Sequence, residues 1–172
     1  ASQGIPVFDA DAVVHALYAG EAAVLIEAAF PGTTKNGAVD RTVLAGRVTG
    51  DADALRRLEG LMHPLVAARK EEFLAQNQNA PILVLDIPLL LETGEKVDAV
   101  VVATAPHAVQ RERVLARSGM SEAKFGALLA RQMSDAEKRA QAHYLVMTDQ
   151  GLDHAREQVK MILADIRNKL RA

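Results

Sequence analysis

The chain has 172 residues, 49% of them hydrophobic and 24% charged, with a formal net charge of −2. That length supports one well-buried core and no second ordinary domain except as an insertion; the charge gives no basic footprint for nucleic acid, and no apolar run is long enough to cross a bilayer. The absence of cysteine excludes disulfides and thiolate metal sites and fits a reducing, cytoplasmic setting, and aromatics at 3% exclude base stacking as the main recognition device.

The chain opens on Ala1-Ser2-Gln3-Gly4, with no initiator Met and no leader pattern, so further sequence is expected upstream. Gly4 reads as the glycine that closes a helix there. The apolar run Ile5-Pro6-Val7-Phe8 then stops at Asp9 and Asp11 and turns into a helix-period pattern carrying Val13, Val14, His15 and Leu17. A buried strand that ends where a helix begins is where open α/β sheets bind ligands. Each of the two aspartates also has a structural reading, since Asp is a favoured N-cap.

Residues 12–80 read as a run of short helices without a strand. One is spaced by Val24, Leu25 and Ala28; a second is capped by Asp40 and carries Val43 and Leu44; a third is capped by Asp51 and carries Leu55, Leu58 and Met62. Residues 31–37 are the loop between the first two, and Pro64, after His63, opens a fourth helix with Val66 and Phe73. An insertion of this length on an α/β scaffold is either a substrate-binding element or a cap on one sheet edge.

Residues 82–87 form a near-continuous apolar run, the pattern of a parallel strand covered on both faces, interrupted by Asp86. A carboxylate there is either a magnesium-side acid or a buried acid bonded to a neighbouring loop. A β-branched run at 99–103 leads into a helix at Pro106, and residues 144–147 form another strand. Strands separated by helices call for a parallel sheet with right-handed crossovers. Between the last two strands lie helices at 106–117 and 121–133, with Arg111, Arg113 and Arg117 on the first and Arg131, Lys138 and Arg139 further on. Arg113 and Arg117, four apart, either close on one anion or belong to a solvated face. Ser134 and Glu137 make a capping box, and Val159, Ile162, Leu163, Ile166 and Leu170 stripe the last helix for packing on the sheet.

Five motifs in series resemble dephospho-CoA kinases over essentially the whole chain: Val7-Phe8-Asp9-Ala10-Asp11 with His15, Gly37-Ala38-Val39-Asp40-Arg41, His63-Pro64-Leu65-Val66, Asp86-Ile87-Pro88-Leu89-Leu90-Leu91-Glu92, and residues 110–120. The resemblance implies a P-loop kinase-like parallel sheet flanked by helices. Its core would comprise 1–11, 81–105 and 140–172, with a helical CoA-binding insertion at 12–80 and a helical lid at 106–139. It implies transfer of the ATP γ-phosphoryl group to the 3′-hydroxyl of dephospho-CoA, with Mg²⁺ as cofactor. Asp11 is then the base; Asp9, His15, His63, Leu89 and Glu92 face the substrate; Arg113, Arg117 and Lys138 serve ATP from the lid; and Asp86 stays a candidate Mg²⁺-side acid, with no metal ligand assigned beyond it. His63, beside Pro64, reads equally as an N-cap.

The chain contains no G-x-x-x-x-G-K-[ST], which the resemblance places roughly 20 residues before Asp11, on a strand between those at 82–87 and 99–103; the native protein is expected to carry it upstream. A second departure is Ala142-His143-Tyr144 with residues 147–151, where the resemblance places a loop near the adenine. Two other readings remain open from the residues: another small-molecule P-loop kinase of the nucleotide kinase class, and a CoA-binding module without catalysis. Oligomeric state leaves no trace in the sequence.

Overall fold

The structure, a computed structural model, describes residues 3–130 and 132–172, so Arg131 of the expected lid lies outside the described residues. A first unit, Ala1–Pro88, contains β1 (Val7–Asp9), α1 (Ala10–Tyr18), α2 (Glu21–Ala29), β2 (Thr34–Lys35), β3 (Ala38–Val39), α3 (Arg41–Val48), α4 (Ala52–Gln76) and β4 (Val84–Asp86). The second, Leu89–Ala172, contains α5 (Leu90–Thr93), β5 (Val101–Thr104), α6 (His107–Leu115), α7 (Glu122–Leu129), α8 (Asp135–Gln141), β6 (Tyr144–Met147) and α9 (Leu152–Lys169). The architecture is α/β, and both ladders made by the expected strands are parallel, β1 with β4 and β5 with β6. No single helix among the described residues is long and apolar enough to cross a membrane.

The helix starts follow their caps. Asp40 accepts from the N–H groups of Thr42 and Val43, Asp51 from those of Asp53 and Ala54, and Ser134 with Glu137 forms the reciprocal capping box. Each satisfies donors that the first helical turn leaves without a partner.

Several expectations are corrected. Pro64 does not start a helix; it lies inside α4, which runs unbroken from Ala52 to Gln76. An interior proline loses one backbone bond and costs about 3 kcal/mol. Here the carbonyl left over belongs to Gly60, which is exposed to water, and both halves of the helix are anchored. Leu58 and Met62 are buried before the proline, and Phe73 after it packs on Phe8 with ring centroids 5.7 Å apart.

The loop expected at 31–37 instead runs into a hairpin, with β2 and β3 antiparallel around Asn36 and Gly37. Both turn residues have positive φ, 53° and 79°, the conformation that Asn-Gly adopts in tight hairpins. In α2 the buried face is Ala22, Ala23 and Ile26, whereas Val24 and Leu25 are exposed. Two alanines let α2 come close to its neighbours, and Ile26 then fills the space between Leu17, Phe30, Leu44, Leu58 and Met62.

The strand at 82–87 is shorter than expected and is not covered on both faces. Phe8 is buried on one side of the β1–β4 ladder, while Val7 and Val84 on the other are over a third exposed. The helices expected at 106–117 and 121–133 are also shorter: α6 stops at Leu115 and α7 at Leu129. In α9 only Leu163 of the expected stripe is fully buried, and Leu170 falls beyond the last turn.

Candidate functional site

The site in the first unit begins with strand register. Val7 pairs with Val84, Phe8 with Leu85 and Asp9 with Asp86, so two carboxylates stand side by side at the C-terminal end of a parallel ladder. Asp9 keeps an extended backbone, φ −103° and ψ 104°, and its Oδ1 accepts from the Ala12 N–H at 2.9 Å. It is the N-cap of α1, so its structural reading holds. Asp11 caps nothing: it sits exposed in the first helical turn, where the positive end of the helix dipole favours a carboxylate. Asp86 is exposed as well, which removes the buried-acid reading. Among the described residues no group of three or more metal-ligating side chains forms.

One turn after Asp11, His15 occupies the same face of α1. Its Nε2 accepts from Arg41 Nη1 at 2.9 Å. Arg41 is the first residue of α3, and Asp40 caps that helix while donating its own N–H to the Thr33 carbonyl at 2.8 Å. The loop before it is fixed by a carboxylate that no sequence pattern singled out. Glu27 accepts from the N–H groups of Gly32, Thr33 and Thr34 and from the Thr34 hydroxyl, at 2.7 to 3.1 Å. The Gly32 N–H, followed by the Thr34 hydroxyl, holds its carboxyl below the usual glutamate range.

A cavity of about 280 Å³ is lined by Val13, Ala16, Leu17, Gly20, Glu21 and Arg69. At 3.6 residues per turn those α1 positions face away from Asp11 and His15, so the cavity is separate from the acid site. Arg69 at its rim is held by Glu21 and Glu72, each at 2.9 Å. His63 is exposed on α4 and caps no helix.

In the second unit, Leu89 has φ 63° and leads into α5. Glu92, with a side chain only 19% exposed, pairs with Lys138 at 3.2 Å and accepts from the Met133 N–H at 2.8 Å. Burial pushes its carboxyl up, but the Met133 bond and the Lys138 ammonium outweigh that and bring it below the ordinary glutamate value. The sequence assigned these two residues to different ligands; the structure joins them to each other.

At the C-terminal end of the β5–β6 ladder, Arg113 donates to the Thr148 hydroxyl at 3.2 Å and to its carbonyl at 2.7 Å. Buried Thr104 donates to Asp135 at 2.6 Å, and the Gln110 amide bonds the Ala105 carbonyl at 2.7 Å. Arg117 does not share a helix face with Arg113, because α6 has already ended. Asp135 was hidden in the sequence by the capping box around it: Ser134 and Glu137 account for that pattern, and the residue between them then looks unused.

The dephospho-CoA kinase family model matches residues 1–154. The chain is 54% identical over 168 residues to the dephospho-CoA kinase of Rhodopseudomonas palustris, covering 95% of this chain and 84% of the relative. It is also 54% identical over 173 residues to that of Mesorhizobium japonicum, covering 98% and 88%. Among solved structures, a crystal structure of a Thermus thermophilus protein aligns with TM-score 0.79 at 32% identity, over 95% of this chain and 86% of that one. The dephospho-CoA kinase from Campylobacter jejuni aligns with TM-score 0.66 at 23% identity, over 96% and 86%, a likeness of fold.

Proposed function

The chain belongs to the dephospho-CoA kinase family of ATP-dependent phosphotransferases with a P-loop kinase fold, and from that premise we propose how its residues divide the reaction. Asp11 receives the acceptor hydroxyl of dephospho-CoA. The observation that carries this reading is the division of labour between the two neighbouring aspartates: Asp9 is spent on capping α1, and Asp11 is left exposed on the first turn.

Phosphoryl transfer passes through a loose transition state, so the protein supplies position and charge more than covalent chemistry. Asp11 therefore needs only to orient the 3′-hydroxyl and take its proton late. Asp86, exposed at the end of β4, offers its carboxylate for Mg²⁺. That fits the ion's habit of taking one or two protein carboxylates and completing its shell with phosphate and water. When bound, Mg²⁺ supplies charge neutralisation of the ATP phosphates.

Residues 12–80 form the acceptor-binding element and 106–139 the lid over ATP. Arg113, Arg117 and Lys138 contact the phosphates of ATP, Arg113 from its bonds to Thr148 and Lys138 from its pair with Glu92. His15, His63 and Leu89 complete the acceptor side. Glu92 acts there through the loop it holds, since its carboxylate is already engaged.

An ADP-release assay with ATP, Mg²⁺ and dephospho-CoA, with the product identified by mass spectrometry, tests this reading. Phosphorylated dephospho-CoA is the expected product. Turnover of a nucleoside monophosphate in its place would sink the acceptor assignment.

A further inference from the structure

The cations of the first unit are not used alike. Arg69 is neutralised by two carboxylates, Arg56 by Asp53, and Arg57 lies 4.6 Å above the Phe30 ring. Arg41 pairs with no carboxylate among the described residues. Its hydrogen-bond partner is the ring of His15, it also lies close enough to Tyr18 to act on the phenol electrostatically, and the residue is exposed.

The backbone that carries Arg41 is nevertheless among the most tightly held in the unit. Thr33 is fully buried, donates its hydroxyl to the Phe30 carbonyl at 2.7 Å and accepts from the Asp40 N–H. Glu27 gathers the N–H groups of the preceding loop, and Leu44, one turn into α3, is 2% exposed. A guanidinium on a fixed backbone, oriented by the His15 bond and without a carboxylate of its own, is the arrangement expected of an anion-binding side chain, because that bond already restrains some of the side-chain freedom that binding would remove.

His15 is also one turn from Asp11 on α1, so Asp11, His15 and Arg41 form a row of exposed groups. Side chains four apart on a helix stand about 5–6 Å from each other at Cβ, and Arg41 Nη1 lies 2.9 Å from His15 Nε2, so His15 bridges the neighbourhoods of Asp11 and Arg41. A ribose likewise carries a 3′-hydroxyl and 5′-phosphates on neighbouring positions of one small ring. We propose that Arg41, steadied by His15, binds the diphosphate of the acceptor while Asp11 holds the 3′-hydroxyl of the same molecule. This rests on the acceptor being dephospho-CoA. Arg41 thereby sets specificity for an acceptor carrying phosphate at the far side of its ribose.

The test compares Arg41→Gln and Arg41→Lys with the full-length enzyme. Titration calorimetry uses dephospho-CoA and, as a probe without phosphate, adenosine; steady-state kinetics give the KM of each substrate. Arg41→Gln should raise Kd and KM for dephospho-CoA about 10- to 100-fold, the size expected for lost charge-assisted hydrogen bonds. It should leave adenosine affinity and the KM for ATP within about threefold. Arg41→Lys, which keeps the charge and loses the two-pronged geometry, should fall in between.

Equal losses for adenosine and dephospho-CoA would show a structural role only, and an unchanged KM for dephospho-CoA would remove the site. If Arg41→Gln fails to fold, Arg41→Lys decides: wild-type affinity for dephospho-CoA there counts against two-pronged binding. A wild-type enzyme that binds dephospho-CoA without phosphorylating it would overturn the kinase reading and leave the diphosphate site standing.

Discussion

The two parallel ladders share a geometry and end in opposite chemistry. β1 and β4 finish in carboxylates, Asp9 beside Asp86, with Asp11 a residue into the next helix. β5 finishes in Thr104 and β6 runs straight into Thr148, whose hydroxyl and carbonyl are gripped by Arg113. An acid end suits a hydroxyl that must give up a proton and a cation that must be held; a cation-and-hydroxyl end suits phosphate.

The units differ as much in how they hold together. In the first, Leu17, Ala22, Ile26, Phe30, Leu44, Leu58 and Met62 form one buried cluster from four helices. In the second, side-chain hydrogen bonds tie the last strand to its neighbours: Tyr144 to Asp165 and Gln158 to both backbone groups of Met147, with Thr104 bonded to Asp135.

Asp11→Asn tests the contrast between the two ladder ends most severely. Removing a positioned base should lower kcat about 10²- to 10⁴-fold, while calorimetry finds dephospho-CoA affinity within about threefold. Equal loss of binding and turnover would make Asp11 a structural residue and erase the contrast between the ladder ends.

Next in size is the core. Ile26→Ala should cost about 2–5 kcal/mol in denaturant unfolding, because the side chain is fully buried among several helices. Val24→Ala, on the exposed face of the same helix, should cost less than about 0.5 kcal/mol. Similar values for the two would show that the buried face of α2 has been assigned to the wrong residues.

Arg113→Ala should raise the KM for ATP about tenfold, the effect of losing one charged contact, and leave the KM for dephospho-CoA alone. A rise in the acceptor KM instead would move the phosphate function away from this ladder.

The smallest expected effect is a pH dependence. The carboxyl of Glu92 is held below 4.5, its ordinary value. Its stabilising contribution is therefore complete above that pH and fades as pH falls through the lower folded value. Thermal melts of wild type and Glu92→Gln should differ at neutral pH and converge below pH 4.5. A gap that persists in acid would assign the effect to packing rather than to the Lys138 pair.

Much of the framework was legible in the chain itself. Asp40, Asp51 and the Ser134 box mark helix starts correctly, and the acids at 9, 11 and 86 sit where strands end. The Asn36-Gly37 hairpin was legible too, because that dipeptide is the strongest short-range hairpin signal, but it lay inside a stretch read as loop. Pro64 misled for the opposite reason. The local rule against proline in a helix is sound, and burial on both sides of it outweighed the rule.

What the sequence determined by itself was local: caps, turns, the order of strands and helices, and the family its motifs resemble. A cap is satisfied within three residues, so its energetics are complete before any packing occurs. Only the tertiary structure decided that Arg41 meets His15 across 26 residues and that the Met133 N–H meets Glu92 across 41. It likewise decided that Ile26 rather than Val24 is buried. Those outcomes depend on which helix faces come together, and a periodic pattern with apolar residues on more than one face leaves that choice to the packing.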